Sequence, residues 1–171
     1  FHAIKNSAPQ KTLDLLLKRG SNLYDRTNNG QTALTIALSN KPAPGLLVWL
    51  KKHGMDINER DRNGLTPLMH AIQQNVSVEI IKLLLSLGAR VSDRAEFGVT
   101  PLMLAAGRNL NPYVLMTLLE NGAGIDDRSA EGLTPLMYAA AFNPNPETVD
   151  VLIDCGARIP LEDKDGNTAL D

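Results

Sequence analysis

The spacing of apolar residues along this chain predicts pairs of short helices. In the clearest copy of the pattern, the hydroxyl of Thr100 is placed to cap a helix, and Pro101 suits a first turn where no N–H is needed. Asn111 and Pro112 repeat that start signal after a break. Apolar residues at helical spacing follow both signals, and Gly122 supplies the left-handed conformation that ends the second helix. The pattern therefore predicts two helices joined by a loop.

This helix pair is one unit of a repeat whose period is 34 residues. The motif Gly-x-Thr-Pro-Leu, or Gly-x-Thr-Ala-Leu, opens each copy, at Gly30, Gly64, Gly98, Gly132 and Gly166. The stretch between a second helix and the next opening glycine is too short for another helix, which favours an extended turn or hairpin. Repeats of this length stack into solenoids, in which each copy is stable only through its neighbours.

Two columns of the aligned copies are predicted to form the core. Each first helix has an alanine at one position, where a larger side chain would push neighbouring repeats apart, and each second helix has a leucine. The columns are Ala3, Ala37, Ala71, Ala105 and Ala139, and Leu16, Leu50, Leu84, Leu118 and Leu152. Trp49 shares a column with Leu15, Leu83 and Val151, so we expect it to pack rather than to bind a partner.

The period alone leaves the family open, because two helices in 34 residues also describe a tetratricopeptide repeat. The motifs instead resemble the ankyrin repeat, in which Thr-Pro-Leu opens the first helix and Gly-Ala closes the second. Gly88-Ala89, Gly122-Ala123 and Gly156-Ala157 match that ending. The chain is a longer variant, since the usual ankyrin period is about 33 residues. The resemblance implies an all-α repeat solenoid of stacked helix-turn-helix units with short β-hairpin-like connections.

We expect one ankyrin repeat domain over residues 1–171. Its predicted parts are a partial repeat over 1–29, full repeats over 30–63, 64–97, 98–131 and 132–165, and the start of a further repeat over 166–171. Because the chain opens inside a repeat and ends just inside a new first helix, we expect it to belong to a longer protein.

Composition removes several classes of function. With 17 basic and 19 acidic residues the net charge is -2, which argues against a nucleic-acid-binding surface. The longest apolar stretches are far too short to cross a bilayer, so we expect no membrane contact. A single cysteine, Cys155, excludes an internal disulfide and fits a reducing compartment, although low cysteine usage fits an oxidising one almost as well. Of the two we expect a cytoplasmic location.

The sequence offers no catalytic, cofactor or metal site. Of His2, His53 and His70, the first and third share a column but lie two repeats apart, which is about 20 Å at the usual helix spacing. One metal ion cannot bind both. Cys155 is near a predicted helix C-terminus, where the helix dipole disfavours a thiolate. Because no phosphate-binding loop or triad spacing is present either, we expect no enzyme.

The hairpins contain an acid-arginine pair in four successive copies. We call these arginines the arginine ladder: Arg26, Arg60, Arg94 and Arg128. The resemblance implies that they face a partner on the concave side, where an acidic or phosphorylated segment would meet bidentate guanidinium groups. Alternatively, each arginine pairs with a carboxylate of an adjacent repeat, in an exposed ion pair worth roughly 0 to 1 kcal/mol. The sequence leaves both readings open.

The resemblance also implies contact positions beside each turn glycine and at the end of each first helix. Residues there differ between copies, which fits either a surface tuned to one partner or unconstrained surface change. Phe97 and Phe142 stand out, since they are two of only three phenylalanines and aromatic residues often anchor interfaces. Burial under the longer loops is the alternative for both. The candidates are Asn29, Asn63, Phe97, Gln73, Gln74, Arg108 and Phe142.

The predicted function is a non-catalytic protein-protein interaction module, acting as a monomer. It would present a concave surface of hairpin tips and first helices to a protein partner. The alternative is a regulatory or structural repeat segment of a longer multidomain protein that docks on its own other domain.

Overall fold

A computed structural model describes residues 2–6, 8–28, 30–39, 43–108 and 111–171. Within these ranges the regular elements are helical. The α-helices are α1 (His2–Lys5), α2 (Gln10–Lys18), α3 (Ala33–Leu38), α4 (Pro44–Lys52), α5 (Pro67–Gln73), α6 (Val78–Ser86), α7 (Pro101–Arg108), α8 (Pro112–Glu120), α9 (Pro135–Phe142) and α10 (Glu147–Asp154). A 3-10 turn at Glu96–Gly98 is the other helical element.

Threonine caps set the start of the first helix in four copies. The hydroxyls of Thr32, Thr66, Thr100 and Thr134 each accept a hydrogen bond from the backbone N–H three residues later, at 3.3 or 3.4 Å. A proline is the first residue of α5, α7 and α9, where the missing N–H costs nothing. The side chain of Asn111 likewise caps α8. The helix pairs predicted from these start signals are confirmed.

Every connection between repeats is closed by the same backbone pattern. One N–H donates to the carbonyl four residues later at 2.8 to 3.0 Å, and the turn glycine donates back to the first residue. The closing pairs are Thr27 and Gln31, Asp61 and Leu65, Ala95 and Val99, Ser129 and Leu133, and Asp163 and Asn167. The hairpin-like connections are therefore confirmed, although none of the described residues is in a regular strand.

The described contacts divide the chain into two compact units, Phe1–Ala89 (unit 1) and Arg90–Asp171 (unit 2). In unit 1, α3 packs against α1, α4 and α5, and α6 packs against α4 and α5. In unit 2, α7 packs against α8 and α9, and α10 packs against α8 and α9. The expectation of a single domain over residues 1–171 stays a prediction.

The predicted packing columns form the core of both units, with two exceptions. Four of the alanines and four of the leucines are buried: Ala37, Ala71, Ala105, Ala139, Leu50, Leu84, Leu118 and Leu152. Leu16 of α2 is 39% exposed. Ala3 is half-buried. Leucine at this column is therefore buried in α4, α6, α8 and α10 but not in α2.

Trp49 is a packing residue, as its column predicts. Its side chain is buried in unit 1, and its ring stacks on His53 with 4.0 Å between ring centroids. The indole Nε1 donates to Asp14 Oδ1 at 2.9 Å, which joins α4 to α2 and satisfies the polar atom of a buried indole.

Two glycines with the same backbone conformation allow the cost of backbone strain to be measured separately from the cost of steric crowding. Gly122 and Gly132 have φ of 87° and 85°, but a Cβ on Gly132 would lie 3.0 Å from Lys164 N, whereas a Cβ on Gly122 would meet nothing within 4 Å. We expect Gly122→Ala to lower the free energy of unfolding by about 1 kcal/mol through left-handed strain. Gly132→Ala should cost about 2 to 3 kcal/mol, because the backbone must also shift. Urea unfolding of the three proteins measures both costs, and equal costs would contradict the crowding argument.

Candidate protein-binding surface

Polar side chains brace four of the five hairpins from inside. The first residue of the closing pair has a side-chain oxygen that accepts the backbone N–H four residues later, at 2.9 to 3.1 Å. These residues are Thr27, Asp61, Ser129 and Asp163. The pKa of Asp163 is lowered, chiefly by the hydrogen bond from the Asn167 backbone. The brace fixes the turn and leaves its tip residues to vary.

Ala95 occupies the same position in the remaining hairpin and has no oxygen to offer. There the turn is a 3-10 turn, and Phe97 adopts φ of 56° and ψ of 20°. This left-handed conformation is unfavourable for a bulky residue. The Phe97 side chain is 71% exposed, and its carbonyl accepts the N–H of Ala130 on the next hairpin at 2.6 Å. The one hairpin with alanine in place of a hydrogen-bonding side chain is therefore also the one with an exposed aromatic residue, Phe97, in a strained backbone conformation.

The end of α9 forms a second aromatic site in unit 2. Tyr138 and Phe142 are one helical turn apart, with 5.7 Å between ring centroids, and Phe142 is 59% exposed. A Cβ at Gly107 of α7 would lie 3.4 Å from the Tyr138 ring and 3.6 Å from Phe142 Cβ, at ordinary van der Waals distance, so α7 lies beside this end of α9. Burial raises the pKa of the Tyr138 phenol, while a hydrogen bond with Ser129 opposes that shift.

The hairpin and the first helix are joined by a polar pair. Tyr138 interacts with Ser129 at the base of the hairpin whose Ala130 bonds to Phe97. The same pair of columns in unit 1 contains His70 and Asp61, with 2.9 Å between His70 Nε2 and Asp61 Oδ2. Hydrogen bonds and ring contact thus connect Phe97 to Phe142 through the backbone of one hairpin and one helix.

The arginine ladder is engaged within the chain. Arg26 donates through Nη1 to the carbonyls of Gly30 and Arg60, both at 3.0 Å, and through Nη2 to Glu59 Oε1. Glu59 belongs to the next repeat. Arg26 therefore ties its own hairpin to the following one by two carbonyls and a carboxylate.

Arg94 makes the same set of bonds, and Arg60 and Arg128 each make one of them. Arg94 donates to Gly98 O at 3.1 Å and Arg128 O at 2.8 Å, and its Nη2 lies 3.2 Å from Asp127 Oδ1. Arg128 donates to the carbonyl of Glu162 at 2.6 Å, and Arg60 donates to the carbonyl of Gly64 at 3.1 Å. Of the two readings left open by the sequence, pairing with a carboxylate of the next repeat is present at Arg26 and Arg94. A partner contact by the arginine ladder stays a prediction.

The remaining candidates are spread over both units. Asn63 and Gln74 are exposed and Gln73 is half-buried in unit 1, while Arg108 is exposed at the end of α7 in unit 2. Asn29 lies outside the described residues. The roles of these residues in binding stay predictions.

Sequence reasoning did not single out Ala95 or Ser129. A signal was present, because the column of Thr27, Asp61, Ser129 and Asp163 contains a side-chain oxygen everywhere except at Ala95. The one residue in this column without a side-chain oxygen, Ala95, therefore identifies the hairpin with the unusual tip.

The sequence matches the family described as "Ankyrin repeats (3 copies)" over residues 1–95 and again over residues 77–163. The chain belongs to the ankyrin repeat family. The all-α ankyrin repeat fold predicted from the motifs is confirmed, and ankyrin repeats are protein-interaction modules. Among the helices that the structure describes, none has the length and apolar character needed to cross a membrane.

A solved structure has the same fold over nearly the whole ankyrin chain. It is "Bd0816 Predatory Endopeptidase from Bdellovibrio bacteriovorus in complex with immunity protein Bd3460". One of its chains aligns with a TM-score of 0.83 and 25% sequence identity, over 99% of this chain and 87% of that chain. The search of curated proteins found no match.

The bonds of Arg94 predict a structural cost for a conservative substitution. Arg94→Lys keeps the charge but loses the planar fork that reaches two carbonyls and Asp127. We expect a loss of about 1 kcal/mol in the free energy of unfolding. Arg108→Lys is the matched control, since the Arg108 side chain makes no hydrogen bond or ion pair with a described residue, and should change stability by less than about 0.5 kcal/mol. Similar small effects in both variants would remove the arginine ladder from the list of structural contacts.

The backbone of Phe97 predicts a substitution that stabilises the fold. Phe97→Gly removes the left-handed strain, so we expect the free energy of unfolding to rise by about 1 kcal/mol. Asn63→Gly, on a tip residue without a positive φ, is the control and should not stabilise. Denaturant melts of both variants measure the effect, and a destabilised Phe97→Gly protein would mean that the ring contributes more to folding than the backbone costs.

Proposed function

We propose that this chain binds a folded protein, without catalytic chemistry, through the side of unit 2 that contains Phe97 and Phe142. The observation that carries the proposal is Phe97, whose side chain is 71% exposed on a backbone conformation that disfavours it. Strained residues of this kind cluster at binding sites. An exposed ring contributes little burial energy to folding. It can contribute much to binding, because aromatic side chains bury a large area in an interface.

Phe142 extends the proposed surface to the end of α9. Its ring is 59% exposed and packs against the ring of Tyr138. Two such anchors on a preordered support lose little conformational entropy on binding. In the proposed complex the hairpin tips and first helices form the concave, partner-facing side. The same surface would serve if the partner were another domain of a longer protein.

A folded partner, rather than a short peptide, is supported by two points. The anchors lie on separate elements, a hairpin tip and a helix end, so one partner surface must reach both. The solved structure that shares the fold is that of an endopeptidase in complex with an immunity protein, which is an assembly of folded chains. A cytoplasmic location stays a prediction.

A second candidate partner is an acidic or phosphorylated segment bound by the arginine ladder. The side chains of Arg26 and Arg94 remain 41% and 43% exposed although they bond within the chain. Side chains with this exposure are accessible to the carboxylate or phosphate oxygens of another molecule. The internal bonds make this candidate the weaker one, because the guanidinium groups already have acceptors.

Alanine substitution of the two anchors tests the first candidate. A partner is captured from an extract of the source with the wild-type chain as bait, purified, and titrated by calorimetry. We expect Phe97→Ala and Phe142→Ala each to weaken binding by about 2 kcal/mol, roughly thirtyfold. Tyr113→Ala is the control, since Tyr113 is 66% exposed on a second helix of the same unit and should leave the affinity unchanged.

Salt dependence separates the two candidates. Binding by the arginine ladder should weaken at least about tenfold between about 0.1 M and 1 M salt and should survive Phe97→Ala. Unchanged affinity in both phenylalanine variants would contradict the proposed anchors.

A further inference from the structure

The two units have opposite net charges. Phe1–Ala89 contains eleven basic and six acidic residues, a net charge of +5, whereas Arg90–Asp171 contains six basic and thirteen acidic residues, a net charge of -7. The two values add to the -2 of the whole chain, so a near-neutral total conceals a strong separation of charge. Charge separation on this scale favours association of unlike surfaces.

The charge also reverses at the ends of the second helices. The last residues of α2, α4, α6, α8 and α10 occupy one column of the repeat, and they are Lys18, Lys52, Ser86, Glu120 and Asp154. A helix C-terminus favours a basic residue through its dipole. In unit 1, α2 and α4 follow that preference, whereas α8 and α10 of unit 2 oppose it. The acidic residues therefore act against the local stability of α8 and α10.

No contact within the described part of the chain compensates for this charge. Glu120, Asp150 and Asp154 are exposed, and their side chains make no hydrogen bond or ion pair with a described residue. The same holds for Lys51 and Lys52 of α4. Charges that cost stability and have no partner in their own chain are available to another molecule.

An exposed apolar residue lies beside each group of charges. Val48, one turn before Lys51 and Lys52 on α4, is 45% exposed. Met116, one turn before Glu120 on α8, belongs to the same repeat column and is 40% exposed. An apolar centre with a charged rim is the usual composition of a protein interface. We call Val48, Lys51, Lys52 and Lys18 the basic face, and Met116, Glu120, Asp150 and Asp154 the acidic face.

We infer that the chain associates with a second copy of itself, the basic face of unit 1 in one copy packing against the acidic face of unit 2 in another. Val48 and Met116 then meet at the centre, and Lys51 and Lys52 neutralise Glu120 and Asp154 at the rim. These faces lie on second helices, so they leave Phe97 and Phe142 available for the partner proposed above. The expectation of a monomer is untested, and this association replaces it.

A charge-exchange experiment on the full chain tests the inference. One variant combines Lys51→Glu with Lys52→Glu, and the other combines Glu120→Lys with Asp154→Lys. Each variant has two faces of like charge, so sedimentation velocity at about 0.1 M salt should give an apparent dissociation constant at least about tenfold higher than that of the wild type. An equimolar mixture restores one basic and one acidic face at each contact, and association should return.

Two controls make the result specific. Glu96→Lys with Glu131→Lys changes the net charge of unit 2 equally but at exposed hairpin tips, and should leave association intact. The Glu120→Lys, Asp154→Lys variant should have a raised melting temperature, because lysine suits a helix C-terminus. Loss of association in a stabilised protein excludes misfolding as the cause.

Three outcomes would overturn the inference. They are a wild-type chain that stays monomeric at about 0.1 M salt over the whole concentration series, association that survives about 1 M salt unchanged, and a mixture of the two variants that stays monomeric. Dissociation of the hairpin-tip control to the same extent would also overturn it, since net charge alone would then explain the effect.

Discussion

The structure depends on one constraint, which is that a single helix pair cannot bury its own apolar face. The alanine and leucine columns are buried from α3 to α10, whereas Ala3 is half-buried and Leu16 is exposed in the first pair. Stability is then a sum of contacts between nearest neighbours. Side chains at those contacts can hardly vary, because interiors are close-packed and any added volume would separate the repeats.

The hairpins also depend on contacts between neighbouring repeats, and there the contacts are made by polar groups. Arg26 and Arg94 reach from their own hairpin to a carbonyl and a carboxylate of the next, so the arginine that resembles a recognition residue also joins neighbouring repeats. A guanidinium group suits this task because its planar fork can satisfy several acceptors at once. The hairpin tips are outside these contacts, and their residues are free to differ from copy to copy.

Both proposed contacts of this chain involve residues that lower the local stability of the fold. Phe97 has a bulky side chain on a left-handed backbone, and Glu120 and Asp154 oppose the dipoles of the helices they end. In natural sequences, residue type, backbone conformation and helix position usually agree, and the exceptions occur at functional sites. A residue that is unfavourable for its own backbone conformation or helix end is therefore a candidate for contact with another molecule. The two anomalies lie on different elements, which is why we assign them to different contacts.

The sequence by itself determined the helix pairs, the hairpins and the family, because caps, glycines and packing columns are local signals repeated in register five times. It also identified Phe97 and Phe142 as unusual, since a repeat makes deviations visible. Tertiary structure decided which acceptors the arginines reach, since Glu59 and the Arg60 carbonyl are 33 and 34 residues from Arg26. The left-handed conformation of Phe97 also required the structure. Such features depend on distances between repeats and on backbone torsion angles, which a pattern of residue types does not contain.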